Sequence, residues 1–293
     1  MGERLFFVGP GRAGLALGYA LWQSDAVDSL TYCGRRPEPP SHPLFIQGAA
    51  RYCFGLERPA PGTDAVVLSV PDDVLAELTH ALAGQGDAPP LCAAFHLSGA
   101  LTGDVLAPLH ARGYSVGTLH PLQSLAHPVT GADRLPGSTF ALSGEPGAIR
   151  VARRLLGHLD ARDVAISVTL RPLYHAAAVM TSNHLAVLLG LARRLLLRAG
   201  VPDEQALSAL LPLARGTLEN IAELGLAHAL TGPVARGDSE TVRLHLMSME
   251  PREREVYRAL SRELTDLAEE WGIVGDESAA GLREVLREGR DSS

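Results

Sequence analysis

The run RLFFVGPGRAGLALGYAL, Arg4 to Leu21, constrains the fold more than any other stretch of this chain. Leu5 to Val8 is a short, uninterrupted apolar run of the kind that forms a strand buried on both faces of a parallel sheet. Gly9, Gly11 and Gly14 follow it as G-x-G-x-x-G, and a helix is predicted to open near Arg12. In such an arrangement the first glycine permits a tight turn, the second lets the backbone approach a pyrophosphate, and the third lets helix and strand pack closely. The anion is then held at the helix N-terminus. Gly9, Pro10, Gly11, Arg12, Ala13 and Gly14 are therefore expected to bind a dinucleotide, the other reading being a structural glycine turn.

The second predicted strand, SLTYC, ends in Gly34-Arg35-Arg36. An acidic side chain at that place would take a ribose 2'-hydroxyl. Two guanidiniums instead suit a 2'-phosphate, which predicts NADP as the cofactor; the alternative is a pair of solvated surface arginines. Further strands are predicted in DAVVLSV, LCAAFHLSG, YSVGTLHP, FALSG and DVAISV, with helices between them such as Ala148 to Leu159. This alternation predicts an α/β fold with a Rossmann-like, doubly wound parallel sheet, whose ligands bind at the carboxyl ends of the strands. Ser69, His96, Ser98 and His120 lie near such ends, and Ser69, Val70 and Pro71 are assigned to the cofactor. Asp72 or Asp73 is expected to cap the following helix.

After Val168 strand-like runs cease. Arg171-Pro172 predicts a helix start, and breaks are expected at Gly200 to Pro202, near Pro212, at Thr231 to Pro233, near Pro251 and around Gly272 to Gly275. The chain is accordingly divided into a dinucleotide-binding domain, 1–168, and an all-α substrate and dimerisation domain, 169–293. With 46% hydrophobic and 20% charged residues, 293 residues suffice for a substantial core. The net charge of -7 offers no basic field for nucleic acid. The longest apolar run, Leu185 to Ala192, is far shorter than a bilayer span, so no membrane partner is expected. Three widely spaced cysteines without C-x-x-C point to a reduced, cytoplasmic protein. No metal is expected, because no H-E-x-x-H or comparable ligand cluster occurs. All 26 basic residues are arginine, which removes every mechanism that relies on lysine.

The stretch YHAAAVMTSNHLAVLLG, Tyr174 to Gly190, sets polar groups in a small-residue helix. At about 100° per residue, Ser182 falls about 20° from His175 and Asn183 about 80° round, while His184 points away. One face would then present His175, Ser182 and Asn183 above alanines that leave room for a small molecule. The alternative for His175 is a hydrogen-bonded core histidine. Helices as apolar as Leu185 to Leu197 lead us to expect a homodimer.

The strings GPGRAG, HLSGAL, LHPLQSL, YHAAAVMTSNHLAVLL and TGPVARGDSETV together resemble the predicted oxidoreductases that join a Rossmann-like domain to a helical domain of originally unknown function. That family is similar to ketopantoate reductase, prephenate dehydrogenase and the wider group whose helical C-terminal domain is like that of 6-phosphogluconate dehydrogenase. Some members act as an alternative ketopantoate reductase. In ordinary ketopantoate reductases the corresponding helix carries a catalytic lysine and, eight residues on, an asparagine; here that spacing joins His175 to Asn183. Their late glutamate is matched by Glu240 after PVARGDS. Prephenate dehydrogenases are similar through a histidine pair spaced as His175 and His184 are, and through the histidine–proline loop in TLHP.

The resemblance implies an NADPH-dependent reduction of a small 2-keto acid, ketopantoate first among candidates. Hydride transfer to a carbonyl carbon leaves an oxygen that needs a proton and hydrogen-bond donors. His175 is the candidate donor, since imidazole can be tuned to titrate near neutrality. Asn183 and Ser182 would hold the substrate, Arg236 a carboxylate (the alternative being a surface or capping arginine), and Ser98 and His120 would face the nicotinamide, with Glu240 placed by the resemblance. Two other classes remain open: a prephenate-type oxidation, and a binding protein that senses NADP without turnover.

Overall fold

The computed structural model describes residues 2–287. Eight strands form one sheet in the order β3-β2-β1-β4-β5-β6-β7-β8. They are β1 Glu3–Val8, β2 Val27–Gly34, β3 Arg51–Phe54, β4 Ala65–Leu68, β5 Ala93–His96, β6 Ser115–Pro121, β7 Thr139–Gly144 and β8 Arg162–Ala165. Chain order reverses direction across the sheet at β1, between β2 and β4, which is where an open α/β sheet offers a crevice. Each described pairing is parallel except β6 with β7. The sequence pattern carries no sign of that reversal, because an apolar run looks the same whichever way it points. Strand β3, RYCF, was also absent from the expectations: it is a four-residue edge strand with two of its residues exposed.

Alternation along β1 shows why the apolar runs are continuous. Leu5 and Phe7 enter a core shared with helices Arg12–Gln23 and Pro146–Gly157, through Leu15, Leu17, Val151 and Leu155. Phe6 and Val8 enter a second core with Leu75 and Leu82 of helix Asp72–Ala83 and Leu109. A strand covered on both faces has no polar positions to alternate with.

Contacts divide the chain into two compact units, one ending at Ser182 and the other starting at Asn183. The sequence texture changes at 168, yet helix Arg171–Val179 belongs with the sheet, because the Arg171 side chain is buried against it, 1% exposed. The helix continues through a π-turn, Met180–His184, into Leu185–Arg198. Val168–Arg198 is, by length and composition alone, long and apolar enough to cross a membrane, which a count based on Leu185 to Ala192 understated. Arg193, Arg194 and Arg198 interrupt its second half.

The second unit is helical, with a core of Val234, Val242, Leu246, Ala268, Val274, Leu282 and Val285. The break expected near Pro212 is not there. Helix Asp203–Ala229 runs through that proline, and its irregular point is Gly225, at φ 78° and ψ 168°. Val187, Leu207, Leu213, Leu218, Leu224 and Leu226 are exposed along these helices.

Candidate active site

The glycine loop leaves β1 through Gly9, whose φ of +89° is a conformation that L side chains rarely adopt. The loop is clamped to the end of β4. A Cβ on Gly11 would lie 2.6 Å from the Ser69 carbonyl oxygen, and one on Gly14 would lie 2.5 Å from Ser69 Oγ. The Gly14 N–H donates to that same Oγ at 2.8 Å. So Ser69, expected to meet the cofactor, has its hydroxyl turned inward as a latch, and Val70 packs on Gly9. Gly11 is the helix N-cap without a side-chain bond, and the first turn has no acidic residue, so the helix N-terminus is electrostatically suited to an anion. Ser69→Ala should leave a buried N–H unpaired and cost about 1–3 kcal/mol, read as a lower urea midpoint. An unchanged midpoint would show that the latch contributes nothing.

Arg35 and Arg36 follow β2 and are exposed. Tyr52 Oη donates to the Arg36 carbonyl at 2.7 Å and fixes the backbone there. Neither guanidinium is in an ion pair among the described residues, which leaves both for a phosphate. The glycine turn, the helix N-terminus and these two cations together fit an NADP molecule at the carboxyl ends of β1 and β2.

Pro71, not an aspartate, is the N-cap of helix Asp72–Ala83. Asp72 reaches across to β5 instead, and Ser98 Oγ donates to its Oδ2 at 2.7 Å. The same Oγ accepts from the N–H groups of Ala100 and Leu101 at 3.2 and 3.0 Å. Ser98 is therefore a turn organiser with its hydroxyl fully used. Beneath it, His96 is wholly buried, its Nδ1 accepting from the Ser98 N–H at 3.2 Å and its Nε2 bonded to the Thr102 carbonyl at 3.0 Å. Burial pulls His96 down to about 4, so the ring is neutral.

Arg171 completes this base. Its Nη2 donates to the Ser98 carbonyl at 2.7 Å and its Nη1 to Thr118 Oγ1 at 3.0 Å, while Thr118 and Ser143 hydroxyls share a 2.8 Å bond. Burial lowers its pKa. One helical turn on, Tyr174 Oη meets His120 Nδ1 at 2.7 Å. The His120 and His175 rings stand 6.0 Å apart at 81°. Both turn a nitrogen toward Gly99: a Cβ there would be 2.5 Å from His175 Nδ1 and 2.7 Å from His120 Nε2. Burial, then the neighbouring His175 and Arg171, lower His120 to about 4. His175 Nδ1 is buried without a hydrogen-bond partner.

Of the residues read from sequence, then, the structure brings His120, His175 and Ser98 into one cluster and adds Asp72, Arg171 and Tyr174, which had no functional assignment. Only the tyrosine's place beside His175 in the sequence could have hinted at it. Ser182 is exposed, with its hydroxyl donating to the Ala178 carbonyl at 2.8 Å. The uniform 100° spacing used to place Ser182, Asn183 and His184 fails across the π-turn, whose i→i+5 bonds fit more residues per turn. Asn183 and His184 are exposed and open the second unit. There Arg236 is exposed, and Glu240 pairs with Arg243 at 3.5 Å within its own helix. Among the described residues no group of three or more potential ligands could hold a metal.

Residues 47–121 match the family model of a Rossmann-like domain, and residues 138–264 that of a domain of unknown function, DUF2520. The two matches follow one another along the chain, a Rossmann-like segment and then a DUF2520 segment. No curated protein sequence matches it. Among solved structures it is similar to a putative NADP oxidoreductase, BF3122, from Bacteroides fragilis, with a TM-score of 0.71 and 21% identity over 89% of this chain and 97% of that one. It is also similar to protein TM1727 from Thermotoga maritima, with a TM-score of 0.69 and 20% identity over 91% and 98%. An imine reductase from Myxococcus stipitatus in complex with NADP+ gives a TM-score of 0.57 and 18% identity over 96% and 99%. At these identities the likeness is one of fold.

Proposed function

We propose that the protein is an NADPH-dependent oxidoreductase that reduces the carbonyl of a small 2-keto acid, with ketopantoate the first candidate. The observation that carries this reading is the convergence of His120, Tyr174 and His175 around Gly99, at the carboxyl ends of β5 and β6, in the same compact unit as the glycine loop. Several proteins of similar fold bear names of NADP oxidoreductases or are bound to NADP.

Bound NADPH would supply a hydride to the carbonyl carbon. The chain's own groups have three tasks. Arg35 and Arg36 would bind the 2'-phosphate, and the glycine loop with its helix N-terminus would bind the pyrophosphate. The Asp72–Ser98–Arg171 network holds the β5 and β6 ends rigid, so the imidazoles keep their spacing. His120, Tyr174 and His175 would stabilise and protonate the developing oxyanion, a role that the ketopantoate reductases it resembles give to a lysine and that a lysine-free chain must assign elsewhere.

The test is NADPH consumption with a panel of 2-keto acids, ketopantoate included, alongside cofactor titration. Turnover with at least one acid supports the reading. Binding of NADPH with no turnover would replace it with a sensor. The cofactor half has its own prediction: Arg35→Ala with Arg36→Ala should weaken NADPH binding by about 1–3 kcal/mol, the worth of charge-assisted bonds, and leave NADH nearly unchanged. Fluorescence titration of both cofactors decides it, since equal losses would remove the arginines from the 2'-phosphate.

A further inference from the structure

We propose that, within this reductase reading, Tyr174 is the catalytic proton donor, that His120 resupplies its proton, and that His175 acts as a neutral hydrogen-bond donor to the carbonyl oxygen. This rests on the functional reading above and divides roles within the cluster that reading leaves joint.

The division follows from which nitrogens have partners. His175 Nδ1 is buried and has none. An imidazolium there would bury an N–H without an acceptor, whereas a neutral ring keeps its one hydrogen on Nε2. A neutral imidazole can donate a hydrogen bond from Nε2–H, but giving up that hydrogen would leave an imidazolate. His175 is therefore suited to polarise a carbonyl, not to protonate an alkoxide.

Tyr174 has what His175 lacks, a partner behind it. Its Oη lies 2.7 Å from His120 Nδ1. When Nδ1 carries the ring hydrogen it donates to Oη, and the phenolic hydrogen is free to point at a substrate. With His175 neutral, it is burial first and then the Arg171 charge that keep His120 neutral, so it passes a proton on without storing one. Arg171, three residues before Tyr174, has its charge placed to favour the phenolate, the direction in which it moves the Tyr174 pKa against the upward push of burial.

The step balances as follows. With the hydride that bound NADPH would supply to the carbonyl carbon, the C=O π pair would move to oxygen and the cofactor would be left oxidised. The Tyr174 O–H bond breaks and its proton joins that oxygen, giving the alcohol. The phenolate takes the proton from His120 Nδ1 while Nε2 takes one from solvent, the single proton that the reduction consumes. The ring returns to its Nδ1–H form by exchange with solvent before the next cycle.

Two measurements test this, one without cofactor. In protein labelled with ¹⁵N at histidine, the ring shifts of His120 should show a protonated Nδ1 in the cofactor-free wild type. Tyr174→Phe, which keeps the ring and removes the hydroxyl, should lower kcat about 100-fold with the 2-keto acid that the wild type reduces, at an NADPH Kd within about threefold of wild type. An unprotonated His120 Nδ1, or a Tyr174→Phe enzyme within about threefold of wild-type kcat, overturns the donor role and leaves the reductase reading standing. A wild type that reduces no carbonyl compound overturns that reading and the donor role with it.

Discussion

Acidification from pH 6.5 to 4 should strip this protein of several kcal/mol of stability, and His96 should be a principal source. Its neutral ring meets both of its neighbours: Nδ1 accepts from the Ser98 N–H, and Nε2–H donates to the Thr102 carbonyl. Protonation would put a hydrogen on Nδ1 facing another N–H, inside a wholly buried site. The folded-state pKa is depressed, by burial first, to about 4, below the ordinary histidine value of about 6.5. Between those values the unfolded chain binds a proton that the folded chain refuses. Stability is thus complete above about pH 6.5 and declines as pH falls toward 4, by roughly 3 kcal/mol for His96 alone. His120, lowered to about 4 in the same direction, adds to the loss. Urea midpoints from pH 8 to 4 measure it, with His96→Gln as the comparison. The variant should be weaker at pH 8 and shallower in its pH dependence. Equal slopes for the two proteins would mean that His96 is not the group that titrates.

That histidine also illustrates what a linear reading can reach. The strand carrying it was legible, because AAFH is a short apolar run bounded by turn residues. The glycine loop was legible for the same reason: its meaning is local, each glycine answering to a turn or a close approach within a few residues. Arg171 shows the opposite case. Beside Pro172 it looks like the first turn of a helix, and it is one, yet its guanidinium grips a carbonyl 73 residues earlier in the chain. Asp72 likewise sits where caps occur and instead receives a hydroxyl from Ser98. Nothing in the periodicity announces such pairings, since they depend on which strand ends the crossover connections set side by side. Angular bookkeeping on the Tyr174 to Gly190 helix failed for another reason. It assumed one pitch throughout, and the π-turn at Met180–His184 changes the phase of Ser182 and everything after it.

Gly99→Ala should reduce kcat with the reducible 2-keto acid by about 100-fold or more and leave NADPH binding unchanged, because the substitution moves the imidazoles and nothing else of consequence. The new Cβ would stand 2.5 Å from His175 Nδ1 and 2.7 Å from His120 Nε2, closer than carbon and nitrogen can approach. Backbone strain is no part of the effect, since Gly99 is not among the glycines with positive φ. The displaced atoms belong to side chains, so the fold should survive at a cost of about 1–3 kcal/mol, the usual penalty for overpacking. His120 cannot retreat freely, tied as it is to Tyr174, and Arg171 fixes the Ser98 carbonyl next to Gly99. The rings must therefore rotate or separate, and displacements of about 1 Å are enough to cost two orders of magnitude in rate. Gly103→Ala, four residues on with no atom within 4 Å of its would-be Cβ, is the control for a generic glycine effect. Single-turnover NADPH oxidation and cofactor titration on both variants decide the matter. If Gly99→Ala turns over as fast as Gly103→Ala, the two histidines are packing neighbours and the chemistry lies elsewhere.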